Sequence, residues 1–211
     1  MPRIVKDPEE RKEELIKAAL SLFETSGYDR TSVENIVNAA GVAKGTFYYY
    51  FKSKEIILEE LFKAYLLQFK PFFNKIIKNP NLNAVEKIQK IFQFMLGSSE
   101  DEENDEIYKI LPIQVINFLS RDSSAIVLRT FGAVGRKIYI PILTSIIKEG
   151  NKAGLLNVEY PEDIIEFLLE IVRYLAEISH KVKIKELQRK KLAINRIFSR
   201  TLGVKEGLFN L

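Results

Sequence analysis

Residues 44–49 carry a lysine, a threonine and two tyrosines, side chains that donate hydrogen bonds to phosphate oxygens and base edges. Helical spacing places Phe47, Tyr50 and Phe51 on the inner face of a short helix. The outer face is then left to Lys44, Gly45, Thr46, Tyr48 and Tyr49. A glycine inside a helix costs about 1 kcal/mol relative to alanine, and close approach of the backbone to a ligand or phosphate explains that cost. The pattern favours a nucleic-acid-binding helix; the alternative is an ordinary solvated face on a three-helix core.

The preceding residues predict a second helix and a tight turn. Thr31 and Glu34 have the spacing of a capping box, so we expect Thr31 to be the N-cap. An apolar face follows at helical spacing, through Val33, Ile36, Val37 and Ala40. Gly41 is the expected left-handed stop, and the second helix is predicted over residues 43–50. Two short helices about a glycine turn are typical of the helix-turn-helix, whose second helix enters the DNA major groove.

These residues also carry a family resemblance. The segment GVAKGTFYYYFKSKEIIL, together with the preceding KAALSLFETSGYDRTSVENIVNAAG, resembles the signature of the tetracycline-repressor (TetR) family of transcriptional regulators. The resemblance covers about residues 11–65 and implies double-stranded DNA as a partner. It implies groove contacts from Lys44, Gly45, Thr46, Tyr48 and Tyr49. It also implies phosphate contacts from Thr31 and Ser32 at one helix start and from Lys54 at the next.

Charge and composition exclude several other classes of protein. The chain has 211 residues, no cysteine and a net charge of +4, so it can form neither a disulfide nor a Cys-ligated metal site. Residues 30–54 contain four basic side chains and one acidic side chain, which predicts a local positive stripe. The charged start lacks the apolar core of a signal peptide, and no apolar run approaches the ~20 residues of a membrane span. We therefore expect a cytoplasmic protein that does not enter a membrane.

The hydrophobic periodicity predicts an all-α fold of about nine helices. Helix starts are expected at Asp7, Ser53, Asn83 and Pro161, and an interrupted helix is expected around Pro112. We predict a DNA-binding domain at residues 1–54 and a helical effector-binding and dimerisation domain at residues 55–211. The acidic segment 98–105 lacks the ligand order of an EF-hand and is interpreted as a solvated loop, so neither metal nor cofactor is expected.

Residues that could support catalysis are scarce. The one histidine, His180, lies near a helix end, and no nucleophile–base pair or glycine-rich phosphate loop is present in the sequence, so we predict that the chain is not an enzyme. Aromatic residues in the larger domain are explained either by core packing or by an apolar cavity for a small effector. The candidate cavity residues are Tyr65, Phe69, Phe92, Phe118 and Tyr174. A fatty acyl compound or an aromatic molecule would suit such a cavity.

The two C-terminal helices are predicted to form a homodimer interface. The penultimate helix is apolar over too wide an arc for a surface helix, and the last helix has an apolar stripe opposite a basic side. The candidate interface residues are Ile171, Leu175, Ile178, Ile194 and Phe198, with Phe198 expected to be exposed. The alternative is a monomer with a buried C-terminal hairpin.

These observations predict a repressor that a small, largely apolar effector releases from a palindromic DNA operator. Two heads on a two-fold axis would read the two halves of the palindrome. The alternative is a DNA-localised interaction protein whose helical body binds a protein partner. Release of DNA by an apolar compound would distinguish the first function from the second.

Overall fold

The computed structural model describes residues 7–96, 118–119, 122, 124–178 and 181–209. Within these residues the chain forms nine α-helices and no strand, which confirms the predicted all-α class. The helices are α1 (Pro8–Ser26), α2 (Val33–Ala40), α3 (Lys44–Tyr50), α4 (Lys54–Leu67), α5 (Lys70–Lys78), α6 (Ala84–Met95), α7 (Ala125–Lys152), α8 (Pro161–Ile178) and α9 (Ile184–Leu202). None of these helices is long and apolar enough to cross a membrane.

Side-chain caps begin several helices where the sequence predicted them. The Asp7 carboxylate caps α1, and Pro8 occupies its first position. Ser53 caps α4, and Asn83 forms a capping box with Glu86 at the start of α6. Each cap binds backbone amides that a helix start leaves without an intrahelical partner.

The capping box of α2 lies one residue later than predicted. Ser32 is the N-cap, and its amide donates to the Asn35 side-chain oxygen at 2.8 Å. Thr31 is only 2 % exposed, and its hydroxyl donates to the Gly27 carbonyl at 2.8 Å. The Thr31–Glu34 prediction is wrong because the preceding turn takes up the Thr31 hydroxyl, which leaves Ser32 to cap the helix. Gly41 ends α2 with φ of 64°, as predicted.

The described residues within Met1–Gln68 and Lys109–Gly135 form one compact unit, called the head unit below. Its helices pack α2 against α1, α3 against α2 and α4 against α1. The core contains fully or almost fully buried side chains from all four helices, namely Leu15, Phe23, Ile36, Phe47, Ile57, Leu58, Leu61 and Phe62, together with Phe51 from the α3–α4 link. Burial of these apolar groups holds the short helices α2 and α3 in place, since isolated helices of this length are marginal in water.

The described residues within Phe69–Tyr108 and Arg136–Leu211 form a second compact unit, the body unit. One aromatic cluster joins α5, α6 and α7 and contains Phe69, Phe72, Phe73, Phe94 and Tyr139. A second cluster joins Phe92, Phe198 and Phe209, with ring centroids of Phe92 and Phe198 5.2 Å apart. A Cβ added at Gly150 of α7 would lie 2.8 Å from the Ala84 Cβ, so a glycine is needed for this close packing.

The compact units do not coincide with the predicted functional division at residue 54, because α4 packs with the head helices. The division into residues 1–54 and 55–211 concerns function and stays a prediction. The acidic segment 98–105, Pro112 and His180 lie outside the described residues. Pro141 lies inside the 28-residue α7.

Candidate nucleic-acid interface

The outer face of α3 presents polar side chains to solvent. Phe47 and Phe51 are 0 % exposed, whereas Tyr48 is 50 % and Tyr49 is 80 % exposed. Lys44 is exposed on the same helix. The burial of two rings therefore fixes which side of α3 faces outward, as the sequence predicted. Tyr50 was predicted to lie on the inner face and is half-buried, with its ring centroid 4.9 Å from that of Tyr49.

Gly45 lies on this outer face. A Cβ built at Gly45 would have no heavy atom within 4 Å outside its own helix and chain neighbours, and its φ is not in the positive range where Gly41 lies. Neither packing nor backbone geometry within the described chain therefore requires a glycine here. The missing side chain instead leaves room for an outside group to approach the α3 backbone closely.

The start of α2 offers fewer donors than the sequence predicted. The Thr31 amide donates to the Tyr28 carbonyl at 3.2 Å, and its buried hydroxyl donates to Gly27. Both predicted phosphate donors of Thr31 are thus used inside the chain. Ser32 is exposed, but its hydroxyl and amide bind the Asn35 side chain, so a phosphate would have to compete with that cap.

Tyr28, in the turn between α1 and α2, is bound from three directions. The Lys54 ammonium donates to the Tyr28 carbonyl at 2.7 Å and lies 4.0 Å from the centre of its ring. The Tyr28 hydroxyl donates to the Glu55 carboxylate at 3.1 Å, and the Tyr28 amide donates to the Asp122 carboxylate at 2.6 Å. We call Tyr28, Lys54, Glu55 and Asp122 the turn cluster. It ties the α1–α2 turn to the start of α4 and to a residue just before α7.

Electrostatics of the turn cluster follow from these bonds. Burial and the neighbouring Glu55 carboxylate raise the pKa of the Tyr28 hydroxyl above its ordinary value, so the phenol stays protonated and can donate. Burial alone would raise the pKa of Asp122, but hydrogen bonds from the Tyr28 amide and from Ser124 outweigh it and lower that pKa. Lys54 uses one of its ammonium N–H groups on Tyr28, so an ammonium with three donors still has capacity for a phosphate.

Sequence reasoning missed Tyr28 and Asp122 as positioning residues. Asp122 lies 94 residues from Tyr28 in the chain, so no local spacing indicates that the two meet. A tyrosine directly after the helix-ending Gly27 was the available signal for the first. No pattern in the sequence singles out the second.

The predicted effector residues do not form one cluster in the structure. Tyr65 and Phe118 belong to the head unit, where Phe118 lies 5.7 Å from Phe23 and 6.1 Å from Phe62 between ring centroids. Phe69 and Phe92 pack in the separate aromatic clusters of the body unit. Tyr174 is 43 % exposed and its hydroxyl accepts a bond from Lys190, so its placement as an interior wall is a correction to the sequence analysis.

A cleft of about 440 Å³ opens at the C-terminal end of α1 in the head unit. Charged side chains of Glu24, Asp29, Arg30 and Asp122 contribute to its lining, and the five predicted effector residues do not. Its lining is therefore unlike the apolar cavity expected from the sequence.

Three of the predicted dimer residues are buried within the chain itself. Leu175, Ile194 and Phe198 are 1 %, 6 % and 0 % exposed, so the expectation that Phe198 is exposed is wrong. Phe198 faces inward because it packs between Phe92 and Phe209. Ile171 and Ile178 are half-buried. The large apolar side chains that α8 and α9 leave exposed are Phe167, Tyr174, Ile184, Leu192 and Ile197.

We expect Asp122→Asn to destabilise the chain near neutral pH by about 1 kcal/mol, because a charge-assisted hydrogen bond becomes a neutral one. The pKa of Asp122 is lowered in the folded state, so its stabilisation is present above the unfolded pKa and is lost as the pH falls through the folded pKa. Urea denaturation should therefore show the difference between variant and wild type shrinking toward acid pH. Asp29→Asn, an exposed position in the same turn, is the control. An equal difference at neutral and acid pH would contradict the role given to the carboxylate.

Comparisons with known proteins agree with this arrangement. The family model described as "Bacterial regulatory proteins, tetR family" matches residues 15–61, which contain the end of α1, all of α2 and α3, and the start of α4. The fatty acid metabolism regulator protein of Bacillus subtilis (strain 168) is 32 % identical over 141 residues, covering 67 % of this chain and 68 % of that protein.

Two further proteins extend the likeness beyond the helix-turn-helix. The HTH-type transcriptional repressor KstR2 of Mycolicibacterium smegmatis is 25 % identical over 158 residues, which cover 75 % of each chain. The crystal structure of RolR in complex with resorcinol has a TM-score of 0.63 at 17 % identity and covers 94 % of this chain and 90 % of that one. At that identity the structural likeness shows a shared fold.

The helix-turn-helix geometry, the family match over it and the similarity that continues into the body lead to one conclusion. The chain belongs to the TetR family of bacterial regulatory proteins and is a DNA-binding transcriptional regulator.

Proposed function

We propose that this regulator is a cytoplasmic repressor that binds a palindromic DNA operator as a homodimer and is released by a small, largely apolar effector. In this proposal α3 enters the major groove, with Lys44, Gly45, Thr46, Tyr48 and Tyr49 toward the DNA. The observation that carries the proposal is the outer face of α3, where exposed tyrosines flank a glycine that the described fold does not need.

The contact set on the DNA backbone differs from the set that the family resemblance implied. Ser32 and Lys54 remain candidates, whereas Thr31 has both of its donors engaged inside the chain. Lys52 is exposed in the link between α3 and α4, and its ammonium would reach a phosphate beside the groove that α3 occupies. We add Lys52 to the proposed contacts.

A second copy is proposed because one head of this size makes few contacts. Two heads on a two-fold axis contact two half-sites and multiply the affinity. The exposed apolar residues of α8 and α9, led by Phe167 and Leu192 at 65 % and 66 % exposure, are the proposed surface for the second copy.

The effector class is inferred from the body and from the relatives. The Bacillus subtilis relative is named as a regulator of fatty acid metabolism, and the RolR structure contains resorcinol. Many aromatic rings line the interior of both compact units of this chain. We propose an apolar effector with a fatty acyl chain or a small aromatic ring, and Tyr65, Phe69, Phe92 and Phe118 stay candidate contacts.

Gly45→Val is expected to abolish operator binding and to leave the fold intact. The added side chain meets no atom of the described chain outside its own helix and chain neighbours but occupies the surface that would face the DNA. The operator would be selected by the wild-type protein from random-sequence DNA, and binding would be measured by fluorescence anisotropy alongside circular dichroism. Ala64→Val adds bulk at an exposed position of α4 and is the matched control. Wild-type affinity in Gly45→Val would contradict the proposed orientation of α3.

Lys52→Ala and Lys54→Ala should separate DNA contact from positioning. Each should weaken binding to all sequences and reduce the slope of log affinity against log salt by about 0.9, because one phosphate contact is lost. Lys54→Ala should also lower the melting temperature, since Lys54 holds the Tyr28 carbonyl, whereas Lys52→Ala should leave it unchanged. A loss confined to some DNA sequences would count against phosphate contact at either position.

An apolar effector should raise the melting temperature by mass action and release DNA from the protein. Free fatty acids, fatty acyl thioesters and small phenols would be tested by thermal shift and by competition against labelled operator. A hit in both assays supports effector-controlled repression. If no compound acts in either assay and a protein co-purifies with the chain, the data favour the alternative function, a DNA-localised interaction protein.

A further inference from the structure

The exposed face of α8 is acidic. Glu162, Asp163 and Glu166 are exposed, and Glu170 follows one turn later and is half-buried. Phe167 is 65 % exposed on the same face. Positions three and four apart share one side of a helix, so these residues form a single surface, which we call the acidic face.

The exposed face of α9 is basic. Lys185, Arg189, Arg196 and Arg200 are exposed along the helix, and none of them is opposed there by an exposed acidic side chain of α9 itself. Leu192 and Ile197, at 66 % and 47 % exposure, lie among them. We call this surface the basic face.

The two faces adjoin within one chain. The Lys190 ammonium donates to the Tyr174 hydroxyl at 3.0 Å, so α8 and α9 meet at the rim of both faces. The helices run antiparallel, since the Asn157 amide just before α8 donates to the Leu202 carbonyl at the end of α9, at 3.3 Å. The acidic half of α8 therefore lies beside the C-terminal half of α9, which carries Arg196 and Arg200.

Two-fold symmetry allows two ways to pair such a helix hairpin with its copy. An axis perpendicular to the helices places α8 on the partner's α8, which brings acidic face against acidic face. An axis parallel to the helices places α8 on the partner's α9 in antiparallel orientation, which brings the acidic face against the basic face. Like charges opposed across an interface are unfavourable, and complementary charges select register and partner.

We infer that the homodimer pairs crosswise, with the acidic face of α8 on the basic face of the partner's α9, so that charge complementarity selects a second copy of this chain and excludes the like-on-like arrangement. This inference rests on the dimer of the proposed function. Burial of Phe167, Leu192 and Ile197 supplies the apolar contact, and the charges set its register.

Contacts inside the chain offer a competing explanation for part of the acidic face. Arg136 of α7 lies 3.7 Å from the Glu166 carboxylate and 2.6 Å from that of Glu170. Arg196 lies 3.9 Å from Glu206. A test must therefore separate charge pairs between copies from charge pairs within one copy.

Glu166→Lys and Arg196→Glu, singly and together, make that separation. Each single reversal creates two repulsive contacts per crosswise dimer and should raise the dimer dissociation constant about tenfold. The doubly reversed chain restores opposite charges across the interface and should recover most of the affinity. Sedimentation equilibrium at low and high salt measures the constant, and Glu166→Gln with Arg196→Gln gives intermediate effects if a reversal impairs folding.

The outcomes separate this inference from the proposed function. A wild-type chain that stays monomeric overturns the proposed dimer and the crosswise pairing with it. A wild-type dimer whose single reversals associate with unchanged affinity overturns the crosswise pairing alone. Weakened single variants without recovery in the double variant also overturn it, because the charges would then act within each chain. Weakening with recovery supports it.

Discussion

The burial of Phe47 and Phe51 is the constraint on which the function of the head depends. Helix α3 has only seven residues and would not persist alone in water. Both rings are 0 % exposed, so the core of the head unit determines the rotation of α3 about its axis. The same rotation turns Gly45, Tyr48 and Tyr49 outward, and it therefore decides which groups can meet a major groove. Recognition by this chain is in this sense a consequence of core packing.

The turn cluster extends that constraint to the entry of α2. Tyr28 uses its amide, carbonyl, hydroxyl and ring on groups from three parts of the chain. Because Asp122 immediately precedes α7, the α1–α2 turn is tied to a helix that continues into the body unit. An effector that changed the position of α7 would thus act on the turn through a short, charge-assisted hydrogen bond. The bond gives a defined chemical link between the two compact units of the polypeptide.

Helices α8 and α9 solve a different problem with the same means. Their inner sides complete the core of the body unit, with Phe198 enclosed by Phe92 and Phe209. Their outer sides keep large apolar residues exposed among charges of opposite sign on the two helices. A monomer would leave this surface in water, whereas a second copy would cover it. A helix with apolar residues on two sides can serve core and interface together, and the exposed side alone is available to a partner.

The sequence by itself determined the all-α class, most helix starts, the glycine stop of α2 and the outer face of α3. These features depend on local rules, namely capping, helical periodicity and the conformational freedom of glycine. Tertiary structure alone decided that Thr31 is buried, that Asp122 holds Tyr28, that Phe198 is enclosed and that Tyr174 faces solvent. Periodicity shows that a helix has an apolar side but not which neighbour covers it, and a contact across 94 residues leaves no local pattern. Only the packed chain assigns each apolar side to the core or to the surface.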